Sequence, residues 1–150
     1  MDTIGFAVAE SDDAETGASV TIQINGRAFL ELVREVEMPF AVQEGYPELA
    51  GNYDGLLLAD IPDLRSHFYG DTLPYFSEEG KTYLYDCDCG VPGCWPLMAR
   101  IVVGAETITW RDFEQPHRTE GSPAGHWRYD EFGPFVFERA QYEEALNSLP

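Results

Sequence analysis

The residues most able to do chemistry are three cysteines that lie within eight residues of one another, Cys87, Cys89 and Cys94. Thiolates bind soft metal ions, and a structural zinc site takes four thiolate or imidazole ligands in a tetrahedron. The spacing is C-x-C-x4-C and there is no fourth cysteine, so a zinc site here would need one histidine. Two other interpretations stay open: buried structural thiols, and a disulfide or redox pair.

The dipeptide Pro92-Gly93, between the second and third cysteines, predicts a type II turn. Proline presets φ at the second position of such a turn, and glycine supplies the positive φ needed at the third. The turn would fold Cys94 back towards Cys87 and Cys89. The sequence therefore predicts that the three thiols converge.

Strand register predicts His117 as the fourth ligand of a metal bound by the cysteines. A two-residue turn at Gly104-Ala105 would pair Val103 with Glu106, and the same register, carried back along the hairpin, places Cys94 opposite Gln115. Because a strand rises about 3.3 Å per residue, His117 would lie within reach of the cysteine turn. The predicted metal site is therefore Cys87, Cys89, Cys94 and His117, with zinc as the cofactor.

The remaining histidines and aromatic residues are expected to have structural roles. His67 and His126 lie in polar segments, which predicts surface positions, and the three tryptophans are expected in the core. The sequence contains no P-loop, G-x-G-x-x-G, G-x-S-x-G, H-E-x-x-H or EF-hand motif, nor the signature of zinc deaminases. A catalytic role would therefore have to use the cysteine turn.

The elements that must position these residues follow from hydrophobic periodicity. Alternation with a period of two predicts strands, and these cover residues 4–8, 20–24, 82–85, 97–103, 106–112 and 135–137. An apolar stripe over residues 28–36 predicts a helix that ends before Pro39, and a second helix is predicted over 139–149. Residues 10–17 are predicted to form a mobile acidic connection, and residues 40–80 to be mostly loop with one or two short turns or strands.

The order of these elements predicts an α+β fold. Strands that follow one another as hairpins favour antiparallel pairing, because parallel pairs need long crossovers. We expect a mainly antiparallel sheet with two helices packed on it, in a single acidic domain over residues 1–150. Hydrophobic residues make up 44% of the chain, which is enough for a core without disulfide or metal support.

The charge of the chain limits its partners. Twenty-seven acidic residues against nine basic ones give a net charge of −18. Binding to nucleic acid or to an anionic membrane is disfavoured, because both need clustered lysine and arginine. A basic protein is the expected partner, although the acidity could equally serve solubility or adaptation to salt. Asp86 and Asp88, beside the cysteines, could support metal ligands, but their position carries little weight in a chain with so many acidic residues.

Three features predict a cytoplasmic protein. The N-terminal residues 1–5 contain no basic residue, as a signal peptide would, and apolar runs such as Leu56–Ala59 are far shorter than the roughly 20 residues that span a bilayer. Three cysteines are also a poor disulfide framework for a secreted protein.

The C-terminal two thirds of the chain resembles a family of small bacterial proteins with no assigned function. The resemblance covers about residues 53–146 and is carried by three motifs, which are Cys87-x-Cys89-Gly90-x-x-Gly93-Cys94, Trp110-x-Asp112-Phe113-x-x-Pro116-His117 and Phe132-Gly133-Pro134-Phe135-x-Phe137. It implies a bacterial cytoplasmic protein and no particular activity.

The sequence as a whole favours a non-catalytic interaction protein, of the immunity or antitoxin type, that binds a basic partner. The alternative is a metal- or thiol-dependent enzyme that uses the Cys87–Cys94 turn. The acidity supports the first hypothesis and the clustered thiols support the second.

Overall fold

The strands of the protein form two antiparallel sheets, as a computed structural model describes them for residues 1–11, 17–89 and 91–150. The strands are β1 (Ile4–Ala9), β2 (Ser19–Ile24), β3 (Arg27–Ala28), β4 (Asp54–Gly55), β5 (Ser77–Glu78), β6 (Lys81–Asp86), β7 (Leu97–Val103), β8 (Thr107–Glu114) and β9 (Phe135–Glu138). The smaller sheet has the order β1-β2-β3, and the larger has the order β4-β6-β7-β8-β9 with β5 paired to β6.

Three α-helices accompany the sheets in the part of the chain described, α1 (Phe29–Gln43), α2 (Leu64–Phe68) and α3 (Arg139–Leu146). This confirms the predicted α+β fold with mainly antiparallel pairing. The prediction of two helices missed α2, a single short turn inside a segment expected to be mostly loop. Asp63 begins α2 by accepting a hydrogen bond from the Ser66 N–H at 3.1 Å.

Two bridges join the edges of the sheets. Asp2 pairs with Phe137 of β9, and Ser19 of β2 pairs with Leu57 just after β4. The hydrogen-bonded path therefore runs from one sheet into the other at both ends. Gly55 makes the second junction possible, because a Cβ atom there would lie 2.2 Å from the Val20 carbonyl oxygen.

Helix α1 continues through Pro39, so the prediction that it ends before this residue is wrong. The buried face of the helix has members on both sides of the proline, namely Phe29, Val33, Glu37 and Ala41. Pro39 itself is exposed, and its ring removes one backbone donor without entering the core. Packing of the buried face therefore outweighs the local preference for a helix end.

Helix α3 ends three residues earlier than predicted. After Leu146 the chain leaves the helix, and the Ser148 hydroxyl donates to the Phe6 carbonyl oxygen of β1 at 2.9 Å. Leu149 is still buried, which explains why the apolar pattern extended that far. The C-terminal residues thus belong to the core without belonging to the helix.

The β7–β8 hairpin has a longer turn than predicted. Val103 faces Ile108 rather than Glu106, and the Gly104 N–H donates to the Thr107 carbonyl oxygen at 2.8 Å. A bulge between Met98 and Arg100 shifts the register again. The register that supported the His117 prediction is therefore wrong by two residues at the turn.

Aromatic side chains dominate the core between the sheets. Trp110 is fully buried, and its Nε1 donates to the Tyr142 hydroxyl at 3.1 Å. The Tyr142 hydroxyl in turn donates to the Phe68 carbonyl oxygen at 2.5 Å. Trp127 is also buried, as predicted, whereas Trp95 is only partly so.

The acidic connection predicted over residues 10–17 lies largely outside the described residues, because residues 12–16 are not among them. None of the helices in the described ranges is long and apolar enough to cross a membrane.

Candidate metal centre

The three cysteines converge, as the sequence predicts. Their sulfur atoms all lie within 4.8 Å of one another. All three are free thiols, with Cys87 half-buried and Cys89 and Cys94 exposed. The group could hold a metal ion at the surface of the protein.

A tight turn returns Cys94 to the other two cysteines. The Cys94 N–H donates to the Val91 carbonyl oxygen at 3.2 Å, and Gly93 has a φ of +82°. Gly93 therefore takes the left-handed conformation that a type II turn requires at its third position. The turn predicted from Pro92-Gly93 is confirmed.

Asp86, the last residue of β6, holds both ends of the cysteine turn. Its Oδ1 accepts hydrogen bonds from the N–H groups of Cys87 at 2.8 Å and Trp95 at 3.1 Å, and its Oδ2 accepts one from Gly93 at 2.9 Å. The residue is buried, with 7% of its surface exposed. Hydrogen bonds to a carboxylate are stronger than neutral ones, so one side chain fixes the loop before any metal binds.

The sequence prediction gave a supporting role of Asp86 little weight. The informative signal was its position, since it ends a strand whose residues are almost all buried and directly precedes the Cys87 turn. A carboxylate at such a position can accept the free N–H groups of the loop, in the way that Asp and Asn side chains do in turns.

Backbone N–H groups point at two of the sulfurs. The Cys89 N–H donates to the Cys87 sulfur, and the Val91 N–H donates to the Cys89 sulfur. The Val91 N–H is the main cause that lowers the pKa of Cys89, and the hydrogen bond to Cys89 is the main cause that raises the pKa of Cys94 to about 12. Donors of this kind stabilise thiolate ligands from outside the coordination sphere.

His117 lies beside the cysteine turn but outside the group of converging sulfurs. Its Nε2 is 3.0 Å from the Gly93 carbonyl oxygen, and its ring stacks on Trp95 with centroids 6.0 Å apart and planes 9° from parallel. A carbonyl can only accept, so Nε2 carries the proton in this arrangement. In this conformation His117 supports the turn from outside.

The other two histidines differ in their surroundings. His126 is exposed, as predicted. His67 is fully buried, so the prediction of a surface position is wrong. Its Nδ1 lies 2.6 Å from the Thr72 hydroxyl and its Nε2 2.8 Å from the Tyr83 carbonyl oxygen, and burial lowers its pKa to about 4. These two polar partners make the burial tolerable.

A buried carboxylate is connected to the turn through Tyr53. Glu37 of α1 is fully buried and accepts hydrogen bonds from the hydroxyls of Tyr53 and Tyr129, each at 2.5 Å, and from the Gly51 N–H at 2.8 Å. The Tyr53 ring stacks on Trp95 with centroids 6.5 Å apart. Burial raises the pKa of Glu37 to about 7, although the three donors oppose this.

Glu37 was missed by sequence analysis, although its position carried a signal. It lies four residues after Val33 and eight after Phe29, on the same face of α1. An acidic residue in line with buried positions predicts a buried carboxylate with hydrogen-bond partners. Because the predicted helix ended before Pro39, the prediction did not include the continuation of that face to Ala41.

Two cavities border the cysteine group. A groove of about 420 Å³ is lined by Cys87 and Cys89 together with the carboxylates of Glu10, Asp54 and Asp60. A smaller cavity, of about 280 Å³, is lined by Cys87, Cys94, Tyr53, Trp95, Asp54 and Asp88. The sulfurs are therefore accessible from two sides.

The donor set fits a soft metal ion. Three thiols converge in a loop that is already held by Asp86 and supplied with N–H donors. Zinc and Cu(I) are the ions that favour such ligands, and a zinc ion takes a fourth ligand in addition. The arrangement could bind a metal, and its accessible sulfurs also allow thiol chemistry.

Comparison with known proteins gives no match among family models, curated proteins or solved structures. The resemblance to small bacterial proteins therefore stays a prediction, and the site itself is what bears on function.

Proposed function

We propose that the chain binds a thiophilic metal ion, with zinc as the first candidate, through Cys87, Cys89 and Cys94. The observation that carries the proposal is the approach of the three sulfurs to within 4.8 Å of one another. Zinc–sulfur bonds are about 2.3 Å long, so two sulfurs on one tetrahedral zinc ion lie about 3.8 Å apart. Small side-chain rotations would bring the thiols to that spacing.

Two features of the loop support metal binding over three independent thiols. The Asp86 carboxylate fixes the ends of the turn, so little conformational entropy is lost when the metal binds. The hydrogen bond from the Val91 N–H lowers the pKa of Cys89 and so stabilises negative charge on its sulfur. A reducing compartment would keep the thiols free, and we therefore propose a cytoplasmic location.

Zinc competition against a chromophoric chelator tests this proposal. The protein should bind one zinc ion, and Cys87→Ser, Cys89→Ser and Cys94→Ser should each lower the affinity at least 100-fold. Val91→Ser, which changes an exposed residue of the same turn but no thiol, should keep the wild-type affinity. Zinc binding unaffected by the cysteine variants would refute the proposal.

The prediction that His117 is the fourth ligand has its own test. As a ligand, His117 would have to turn away from the Gly93 carbonyl oxygen, and His117→Ala would change the visible spectrum of a Co²⁺-substituted protein. As an outside support, it would leave that spectrum unchanged and weaken metal binding about 10-fold. The spectrum therefore separates the two roles.

A second proposal is that the acidic surface binds a basic protein, as an immunity or antitoxin-like protein would. The supporting observation is that six of the nine basic side chains already pair with carboxylates of the chain itself, namely Arg27, Lys81, Arg100, Arg111, Arg118 and Arg139. All nine basic residues together balance only a third of the 27 acidic ones, which leaves the net charge of −18. The field around the protein would attract a cationic partner.

Cross-linking in native cells, followed by binding of the purified candidate, tests this second proposal. We expect a basic protein that binds with defined stoichiometry at 0.15 M salt (about physiological ionic strength) and dissociates steeply as salt rises. If every cross-linked protein fails to bind at that salt concentration, the proposal fails.

An enzymatic role for the cysteine turn would instead require an exchangeable ligand on the metal, because catalytic zinc keeps an open coordination position.

A further inference from the structure

We infer that the metal ion keeps an exchangeable fourth ligand, and that the adjoining cavity selects a small aminothiol for this position. The inference rests on the proposed function, since it needs a metal on Cys87, Cys89 and Cys94. The ligand would bind the metal through sulfur and place its ammonium group against two carboxylates.

The fourth coordination position of the metal is open to solvent. Among the residues that the structure describes, the group of mutually close ligand atoms consists of the three sulfurs. The His117 Nε2 donates its hydrogen to the Gly93 carbonyl oxygen. The Asp88 Oδ1 accepts a hydrogen bond from the Cys87 thiol at 3.6 Å, and Asp88 is not part of the group of mutually close ligand atoms. Cys89 and Cys94 are exposed. Water can therefore reach a metal at this place and complete a tetrahedron.

The smaller cavity, of about 280 Å³, borders two of the three cysteines. Cys87 and Cys94 form part of its lining, so an ion bound to them would face it. The rings of Tyr53 and Trp95 line it as well, and they stack with an interplanar angle of 24°. The volume is below the usual 300–1,000 Å³ of sites for drug-sized ligands. It suits a molecule of a few heavy atoms with a short hydrocarbon stem.

The charged groups around the cavity are negative. Asp54 and Asp88 line the cavity, both are exposed, and no basic side chain is among its lining residues. No basic side chain in the described ranges pairs with the Asp54 carboxylate either. Three thiolates on a divalent ion add a net negative charge beside them. A ligand that carries an ammonium group is therefore favoured over a neutral or anionic one.

The exchange itself is a simple substitution. The thiol of the incoming molecule releases its proton to solvent, its sulfur forms a bond to the metal, and the metal-bound water leaves. No atom is oxidised or reduced. A fourth thiolate completes a tetrahedral set of sulfur ligands, which zinc accepts readily.

The experiment uses the full chain loaded with Co²⁺ and three short thiols that differ in charge: cysteamine, 2-mercaptoethanol and 3-mercaptopropionate. Each is added to the same concentration of thiolate, and the visible spectrum of Co²⁺ reports the new sulfur ligand. Cysteamine should bind about tenfold more tightly than 2-mercaptoethanol, and 3-mercaptopropionate should bind most weakly.

Variants tie this preference to the cavity. The double variant Asp54→Asn/Asp88→Asn should show a clearly smaller preference for cysteamine than the wild type, because only the charge of the metal site itself remains. Asp60→Asn should keep the preference, because this exposed acid lies outside the smaller cavity. The Co²⁺ spectrum recorded before thiol is added shows whether each variant still holds the metal in the wild-type geometry.

Three results would overturn the inference, and they are distinguishable. A spectrum that no thiol changes would mean that a protein group fills the fourth position. Equal affinities for the three thiols in the wild-type protein would mean that the cavity does not select by charge. A protein that binds no Co²⁺ would overturn the proposed function together with this inference, whereas the first two results leave metal binding intact.

Discussion

At the scale of single residues, Asp86 is the main determinant of the cysteine turn. Its two oxygens accept three backbone N–H groups, which belong to Cys87, Gly93 and Trp95. These groups lie at both ends of the loop, so the carboxylate holds the two ends together by hydrogen bonds to the backbone. The thiols can therefore converge without a metal.

Replacing Asp86 by asparagine should weaken both the fold and the metal site. The amide nitrogen cannot accept, so at least one part-buried N–H group of the loop loses its partner. We expect the free energy of unfolding of the metal-free protein to fall by about 2 kcal/mol, and zinc affinity to fall about 10- to 100-fold. Urea unfolding and zinc competition measure the two effects.

Asp88→Asn is the matched control, because Asp88 is an exposed aspartate two residues away. Its effect on stability should stay within about 0.5 kcal/mol. If Asp86→Asn leaves zinc affinity at the wild-type value, Asp86 does not organise the site.

At the scale of elements, most strands could be predicted from the sequence but their pairing could not. The period-two pattern locates β7 at its observed bounds, Leu97–Val103, and β1, β2, β6 and β9 to within one residue at each end. Register depends on the length of a turn and on bulges, which hydrophobic patterns do not encode. For this reason the β7–β8 register was wrong, even though the cysteine turn itself was predicted correctly.

His117 illustrates the same limit. Its place beside the turn was predicted from a register that the structure does not have. The chain nevertheless brings it there, because β8 extends to Glu114 and a 3₁₀ turn over Pro116–Arg118 follows. Whether the exposed His117 side chain meets a sulfur or a carbonyl oxygen depends on strand register and turn geometry, which the sequence pattern does not determine.

Helix α1 provides a test at this scale. Pro39 is exposed and lies inside the helix, where it has no N–H group for the carbonyl oxygen one turn earlier. Pro39→Ala restores that donor without removing a buried contact. We expect the free energy of unfolding to rise by about 1–2 kcal/mol, measured by urea unfolding.

Pro47→Ala is the control for this prediction. Pro47 occupies the first turn of a 3₁₀ helix, where proline is favourable because no N–H group is needed. Its replacement should lower the free energy of unfolding slightly, by less than about 1 kcal/mol. A Pro39→Ala variant no more stable than the wild type would show that the helix has adapted fully to the proline.

At the scale of the whole molecule, two buried groups give opposite pH dependences. The pKa of Glu37 is raised from 4.5 to about 7, so its contribution to stability is fully present below pH 4.5 and is lost as the pH rises through 7. The pKa of His67 is lowered from 6.5 to about 4, so its contribution is fully present above pH 6.5 and is lost as the pH falls through 4. Between pH 4.5 and 6.5 the two effects oppose each other.

Glu37→Gln should expose the contribution of His67. Each pKa change corresponds to roughly 3 kcal/mol at most, so the variant should lose about 1–3 kcal/mol as the pH falls from 6.5 to 5, while the wild type changes much less. Urea unfolding of the metal-free protein at pH 5, 6.5 and 8 measures this. Parallel pH curves for the two proteins would contradict the assignment of a shifted pKa to Glu37.

The closure of the two sheets is the part of the fold that the sequence could not predict. It depends on contacts between distant residues, such as Asp2 with Phe137 and Ser19 with Leu57. Long-range packing also buries Glu37 against Tyr53 and stacks Trp95 on the Tyr53 ring. Local patterns predicted the cysteine turn. The residues that support it, Glu37, Tyr53 and His117, come from three separate segments of the chain.

The most direct test of metal binding is X-ray absorption at the zinc edge of the protein loaded with one equivalent of zinc. The proposed site predicts three sulfur neighbours at about 2.3 Å and one nitrogen or oxygen neighbour at about 2.0–2.1 Å. Addition of cysteamine should convert this to four sulfur neighbours. A spectrum with no sulfur neighbours, or zinc that is removed by desalting, would contradict the assignment of Cys87, Cys89 and Cys94 as a metal site.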